Sequence, residues 1–139
     1  YGETTPVKLL DILVYEVSWI PESNAFYAYP EGFFSTEGTK VYEPPVYEKS
    51  FHPAISYNGY QAWEVIENRQ GRVVIKVPGG DWQTVLEEDV AVLAWNVIST
   101  PTLLIVLKDG SLYTAPAPGF TPQLMGTVEG VNQIWAPLP

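Results

Sequence analysis

The apolar residues of this chain fall in short stretches of alternating polarity, and Gly, Pro, Asn or Asp closes each stretch. Alternation with a period of two places one side of an extended segment against a core and the other toward solvent, as in an antiparallel sheet. No segment carries three turns of apolar positions at helical spacing, and residues 82–92 come nearest to it. The pattern predicts an all-β fold: an antiparallel sandwich or barrel, jelly-roll-like, with about eight to ten short strands.

Two turns are predicted with particular clarity. Asn58-Gly59 separates two alternating segments, and such a pair is the strongest short-range hairpin signal because both turn residues tolerate positive φ. Residues 108–111 predict a second tight turn. The segments 90–98 and 102–107 are the most apolar and are expected to pair at the centre of the fold. Further strands are predicted at 54–57, 60–66, 72–77, 82–86, 112–115, 125–128 and 131–135.

Length and composition fit one domain. A chain of 139 residues that is 46% hydrophobic buries roughly two-thirds of its unfolded surface, so no disulfide or metal is needed for folding. We expect an extended N-terminal arm at residues 1–6, a single β domain at 7–135 and a proline-rich tail at 136–139. Residues 7–20 predict a long strand with one buried face, with a helix as the alternative for the first half. No internal repeat is visible at a fixed period.

Charge and hydropathy argue against two classes of partner. Sixteen acidic residues oppose seven basic ones, and the net charge of −9 repels nucleic acid and anionic membrane surfaces. The longest apolar run, residues 103–107, is far shorter than the roughly 20 residues that a membrane-spanning helix needs. The absence of cysteine leaves the redox compartment open, and a first residue other than Met leaves open a removed leader.

The residues for acid–base or nucleophilic chemistry are few. His52 is the only imidazole, and Pro53 after it favours an extended backbone at a strand entrance. No serine stands in a nucleophile-like motif. Asp11, Glu16 and Glu64 alternate with large apolar neighbours, which predicts solvated positions rather than a pair of catalytic carboxylates. The acidic run at residues 87–89 lacks the spacing of a calcium loop. The sequence therefore predicts no enzyme, no cofactor and no metal site.

Aromatic residues are plentiful by contrast, with five Trp, nine Tyr and five Phe. Most of the tryptophans are expected in the core, with the indole N–H paired at its rim. Residues 21–45 are interrupted by four prolines and predict a long structured excursion, whose aromatic side chains either fold back as a satellite core or face a partner. We predict a partner-binding surface made of this aromatic group and the N-terminal arm: Phe26, Tyr27, Tyr29, Phe33 and Phe34 with Tyr1, Thr4, Thr5 and Pro6.

The N-terminal arm, the strand at residues 7–20, the cysteine-free β body and the proline-rich end together resemble the head decoration, or auxiliary capsid, proteins of long-tailed bacteriophages, particularly those of thermophilic hosts. That resemblance implies a thermostable, non-enzymatic protein at a virion surface or in an extracellular setting. Its partners would be other copies of itself, as a trimer or other homo-oligomer, and a larger capsid lattice.

A carbohydrate-binding module with exposed Trp or Tyr platforms is the alternative. Residues 108–113 also resemble the hairpin of many β-propeller blades, but 139 residues are too few for a propeller of ordinary blades.

Overall fold

The computed structural model describes Lys8, Asp11 and residues 16–20, 24–29 and 32–130. These residues form twelve β-strands and no helix, which confirms the predicted all-β class. All the strand pairs are antiparallel. The strands are β1 (Glu16–Trp19), β2 (Ala25–Tyr29), β3 (Gly32–Ser35), β4 (Lys40–Tyr42), β5 (Lys49–Ile55), β6 (Gln61–Glu67), β7 (Gln70–Lys76), β8 (Trp82–Leu86), β9 (Val90–Asn96), β10 (Thr102–Leu107), β11 (Ser111–Pro116) and β12 (Gln123–Thr127).

The strands are arranged as three four-stranded meanders, in the orders β1-β2-β3-β4, β5-β6-β7-β8 and β12-β11-β10-β9. Every strand pairs with its neighbour in sequence, so the jelly-roll order expected from the sequence, which requires Greek-key crossovers, is not present in the described residues. The first strands of the three sheets begin at residues 16, 49 and 90, so they are 33 and 41 residues apart, and the second spacing matches the repeat length of four-stranded propeller blades. The chain thus contains a structural repeat that no shared residue pattern revealed.

The chain divides into two compact units, Tyr1–Glu43 and Pro44–Pro139. The described part of the first unit is the β1–β4 sheet. Residues 21–45, expected to be a loop-like excursion, contribute β2, β3 and β4, because their prolines and glycines separate short strands rather than preclude them. The predicted arm at 1–6 and tail at 136–139 lie outside the described residues, as do most of the strand expected at 7–20 and that expected at 131–135.

In the second unit the two sheets pack face to face around one core. The predicted central pair is confirmed, since β9 and β10 lie side by side with Leu103 opposite Trp95. The indole N–H of Trp95 donates to the carbonyl oxygen of Ala54 over 3.1 Å, which ties β9 to β5. Each fully buried aliphatic side chain stabilises the fold by about 1.5–3 kcal/mol. The core includes Ala54, Ala62, Val73, Ile75, Val90, Leu93, Trp95, Leu103, Ile105, Leu107, Ala115 and Phe120.

Both predicted tight turns are confirmed. The Gly59 N–H donates to Ser56 O over 3.0 Å, and only Gly59 of the Asn58-Gly59 pair takes positive φ, at 89°. At the second turn Gly110 also has φ of 89°, and a Cβ there would lie 2.4 Å from the carbonyl oxygen of Val128. The Ser111 N–H donates to Asp109 Oδ1 over 2.8 Å, which lowers the pKa of that carboxyl. The helical alternative for residues 82–92 is wrong, since β8 and the start of β9 lie there.

Candidate functional site

The most buried carboxylate in the described residues is Glu64, on β6, where only 2% of the residue is exposed. It alternates with Trp63 and Val65, and this alternation predicted a solvated position. That prediction is wrong, because β6 is an inner strand with both faces buried from Gln61 to Val65. Glu64 points to the face that packs against the second sheet. There its Oε1 accepts a hydrogen bond of 2.9 Å from the N–H of Val90, the first residue of β9.

His52 approaches the same carboxylate from β5. Its backbone φ of 48° lies in the left-handed region, at a bulge between Phe51 and Ala54, so the predicted extended conformation is wrong. The ring Nδ1–H donates to the carbonyl oxygen of Ala91 over 3.1 Å, while Nε2 lies 3.9 Å from Glu64 Oε2. Burial lowers the pKa of His52; the Glu64 charge raises this pKa and the Lys108 charge lowers it, and the net direction is down.

Lys108 and Asp89 complete the group at the solvent side. Lys108 Nζ lies 4.0 Å from Glu64 Oε1 and 3.7 Å from Asp89 Oδ2. The side chains of Lys108 and Asp89 are both more than half exposed. Gly71 on β7 provides the space for this contact, since a Cβ there would lie 2.2 Å from Asp89 Oδ1. We call Glu64, His52, Lys108 and Asp89 the joint cluster.

The joint cluster holds three strands together. Glu64 binds the start of β9 to β6, and His52 binds β9 to β5 through Ala91. A buried carboxylate that accepts a backbone N–H and faces a lysine is satisfied where it stands. Among the described residues no group of three or more His, Asp or Glu side chains is arranged to hold a metal ion. The arrangement is suited to fixing one sheet against the other.

The aromatic side chains of the β1–β4 sheet form a row across each face. Trp19, Phe26 and Phe34 lie side by side on one face, with centroids 5.7 and 6.1 Å apart. Tyr27 and Phe33 lie 4.7 Å apart on the other face, and Tyr42 follows at 5.8 Å. Aromatic cross-strand pairs of this kind stabilise a sheet by about 0.5–1.5 kcal/mol each beyond their buried area.

These rows locate the predicted partner-binding residues. Phe26, Phe33 and Phe34 are buried, so these three rings pack inside the structure and do not form the exposed patch that we expected. Tyr27 is half-buried. The side chain of Tyr29 lies outside the described residues, as do Tyr1, Thr4, Thr5 and Pro6. The strand alternation at residues 25–29 and 32–35 was the signal for packed rings, and the density of prolines obscured it.

Among the described aromatic side chains of this sheet, the exposed one belongs to a residue that the sequence placed in the core. Trp19 ends β1, the edge strand of the sheet, and is 62% exposed, with its ring against Phe26. Trp63 and Trp95 are buried as predicted, and Trp82 is half-buried beneath the Lys76 ammonium. Trp135 lies outside the described residues. Trp19 is exposed because β1 lies at the edge of its sheet, and the sequence pattern does not show which strand is at an edge.

Comparisons of the chain with family models, with curated proteins and with solved structures found no match. In the part of the chain that the structure describes, no helix is long and apolar enough to cross a membrane.

Proposed function

We propose that this chain is a non-enzymatic assembly protein that associates with copies of itself and with a larger protein lattice, such as a virion surface. The observation that carries this proposal is the set of large apolar side chains left exposed on an acidic body. Val17 and Trp19 lie on the edge strand β1, and Leu124 and Met125 lie on the edge strand β12, each of the four more than half exposed. Apolar groups gathered at sheet edges are typical of protein-binding surfaces.

The joint cluster supports the same proposal. Glu64 is buried and accepts the Val90 N–H, so a substrate cannot reach this carboxylate. The Nδ1–H of His52 donates to the Ala91 carbonyl oxygen, and its Nε2 faces the Glu64 carboxylate at 3.9 Å. The two hydrogen bonds join β9 to β6 and to β5, which gives both residues a structural use.

Light scattering on the 139-residue chain over a wide concentration range tests the proposal. We expect an oligomer, such as a trimer, whose mass rises with concentration, and we expect Trp19→Ala and Leu124→Ala to retain the fold because both side chains are largely exposed. A chain that remains monomeric at every concentration contradicts the proposal.

Carbohydrate binding is the second candidate, and the exposed indole of Trp19 favours it. An aromatic ring presented at a surface provides a flat platform for a sugar face, and Phe26 packs beside this ring in an edge-to-face arrangement. A glycan array tests the candidate, with Trp19→Ala as the variant and Tyr57→Ala, an exposed aromatic residue in a turn, as the matched control. Specific retention that is lost in Trp19→Ala alone supports sugar binding, and no retention excludes it under those conditions.

A further inference from the structure

The β9–β12 sheet has a second face, opposite the one that forms the core with β5–β8. Register places Val92 and Ala94 of β9, Val106 and Leu104 of β10, and Leu112 of β11 together on this side. We call these five residues the outer apolar face. Val106 is buried, and the other four are half-buried. The remaining described positions of this side on β9, β10 and β11 are Asn96, Thr102, Thr114 and Pro116, so these three strands present no charged residue here.

The outer apolar face differs in composition from a solvent-exposed sheet face. Solvated faces of antiparallel sheets alternate polar and charged residues with the core positions. A face without charge is conspicuous in a chain whose net charge is −9. The composition of the outer apolar face is that of a surface to be covered.

The β5–β8 sheet shows what such a covered face looks like in this chain. Its side opposite the shared core contains Trp63, Val65 and Val74, each at most 2% exposed. The two sheets have the same meander order and pack with their first strands, β5 and β9, adjacent through the Trp95–Ala54 hydrogen bond. Successive blades of a propeller stack face to face in this way, and closure requires about four to eight blades.

We infer that the outer apolar face is covered by a four-stranded sheet of a second copy of this chain, packed face to face as β5–β8 packs on the other side. This inference rests on the proposed self-association and names the surface that mediates it. Two like sheets are complementary because both are twisted to the same hand and pack at about 10 Å.

Other occupants fit this face less well. An extended peptide adds to a sheet edge through backbone hydrogen bonds, whereas this surface is the flat side of the sheet. A sugar stacks on exposed aromatic rings, and the described positions on β9, β10 and β11 of this side include none.

The size of the face sets the strength of the association. Three strands at about 4.8 Å and five residues at about 3.4 Å give a footprint of about 14 by 17 Å. This is smaller than the roughly 800 Å² per partner of a standard interface. Association through this face alone is therefore expected to be weak and to depend on concentration.

Sedimentation velocity over a hundredfold range of protein concentration tests the inference. Leu104→Lys places a charge at the centre of the face, and Thr127→Lys introduces the same charge at an exposed position on the edge strand β12 of the same sheet. We expect the dissociation constant of the oligomer to rise at least tenfold in Leu104→Lys and less than threefold in Thr127→Lys. Circular dichroism of each variant confirms that the subunit is folded.

Thr114→Lys is a second variant that tests the same face, since Thr114 lies opposite Leu104. Thr114 is half-buried and already polar, so its replacement perturbs the subunit less. If Leu104→Lys does not fold, Thr114→Lys decides, with the same expected loss of association. If the wild-type chain forms an oligomer and neither variant weakens it, the inference about the outer apolar face is wrong, while the proposed function stands. A wild-type chain that is monomeric throughout overturns both.

Discussion

The two sheets of residues 44–139 have the same topology but differ in how their faces are covered. In the β5–β8 sheet, Trp63 and Val74 on one face are as buried as Ile75 on the other. In the β9–β12 sheet, Leu103 is fully buried, whereas its neighbour Leu104 on the outer apolar face is half-buried. The strand order of a sheet therefore does not determine how completely its second face is covered. The difference lies in what covers the second face.

The largest effect is expected from the same charge placed on the second face of each sheet. Val74→Asp puts a carboxylate at a fully buried position and is expected to cost more than about 4 kcal/mol, enough to unfold the subunit. Val92→Asp, at a half-buried position, is expected to cost about 1–2 kcal/mol in the monomer, mainly because Asp is disfavoured in strands. Urea unfolding at low protein concentration measures both losses. Equal losses would mean that the second faces of the two sheets are equally covered within one subunit, which would contradict the difference described above.

A smaller effect is expected at the joint cluster, where the two sheets meet. Glu64→Ala leaves the Val90 N–H without its acceptor and Lys108 without its buried partner, and should cost about 3 kcal/mol in the free energy of unfolding. Glu64→Gln retains an amide oxygen for Val90 and should cost about 1 kcal/mol. Thermal or urea unfolding of the two variants separates these terms. If the Gln variant loses as much as the Ala variant, the negative charge rather than the hydrogen bond holds the sheets together.

Much of the second unit could be predicted from sequence because its signals are local. Gly59 and Gly110 mark the turns where the structure has them, and the most apolar pair of segments forms β9 and β10. Period-two alternation identifies the two faces of a strand, but it does not say whether the second face is covered. For this reason the burial of Glu64 was missed.

The first unit was harder to predict because its strands are short. β2, β3 and β4 contain three to five residues each, so the alternation is interrupted before it becomes distinct. The repeat was missed because it is a repeat of strand order with unequal spacing, and the first strands β1, β5 and β9 share little sequence. Exposure of Trp19 depends on its position at a sheet edge, a property of the assembled sheet.

The smallest effect is expected from pH. Because burial lowers the pKa of His52 in the folded chain, the unfolded chain binds its proton first as the pH falls. The stability that His52 contributes is complete above the unfolded pKa of about 6.5 and is lost as the pH falls below it toward the folded pKa. His52→Asn accepts the positive φ and removes this titration. We expect its unfolding free energy to decline less than that of the wild type between pH 7.5 and pH 5.5, as measured by urea unfolding at each pH; a steeper decline would contradict the assigned direction.

The most direct test of the difference between the two sheets is the reactivity of single cysteines, since the chain contains none. Thr114→Cys reports on the side of the outer apolar face, and Thr84→Cys, exposed on β8, reports on the other sheet. The rate of reaction with a soluble thiol reagent is measured while the protein concentration is raised through the range of self-association. The rate at Thr114→Cys should fall at least tenfold while that at Thr84→Cys stays constant. A constant rate at Thr114→Cys while the protein associates would show that a second copy does not cover this face.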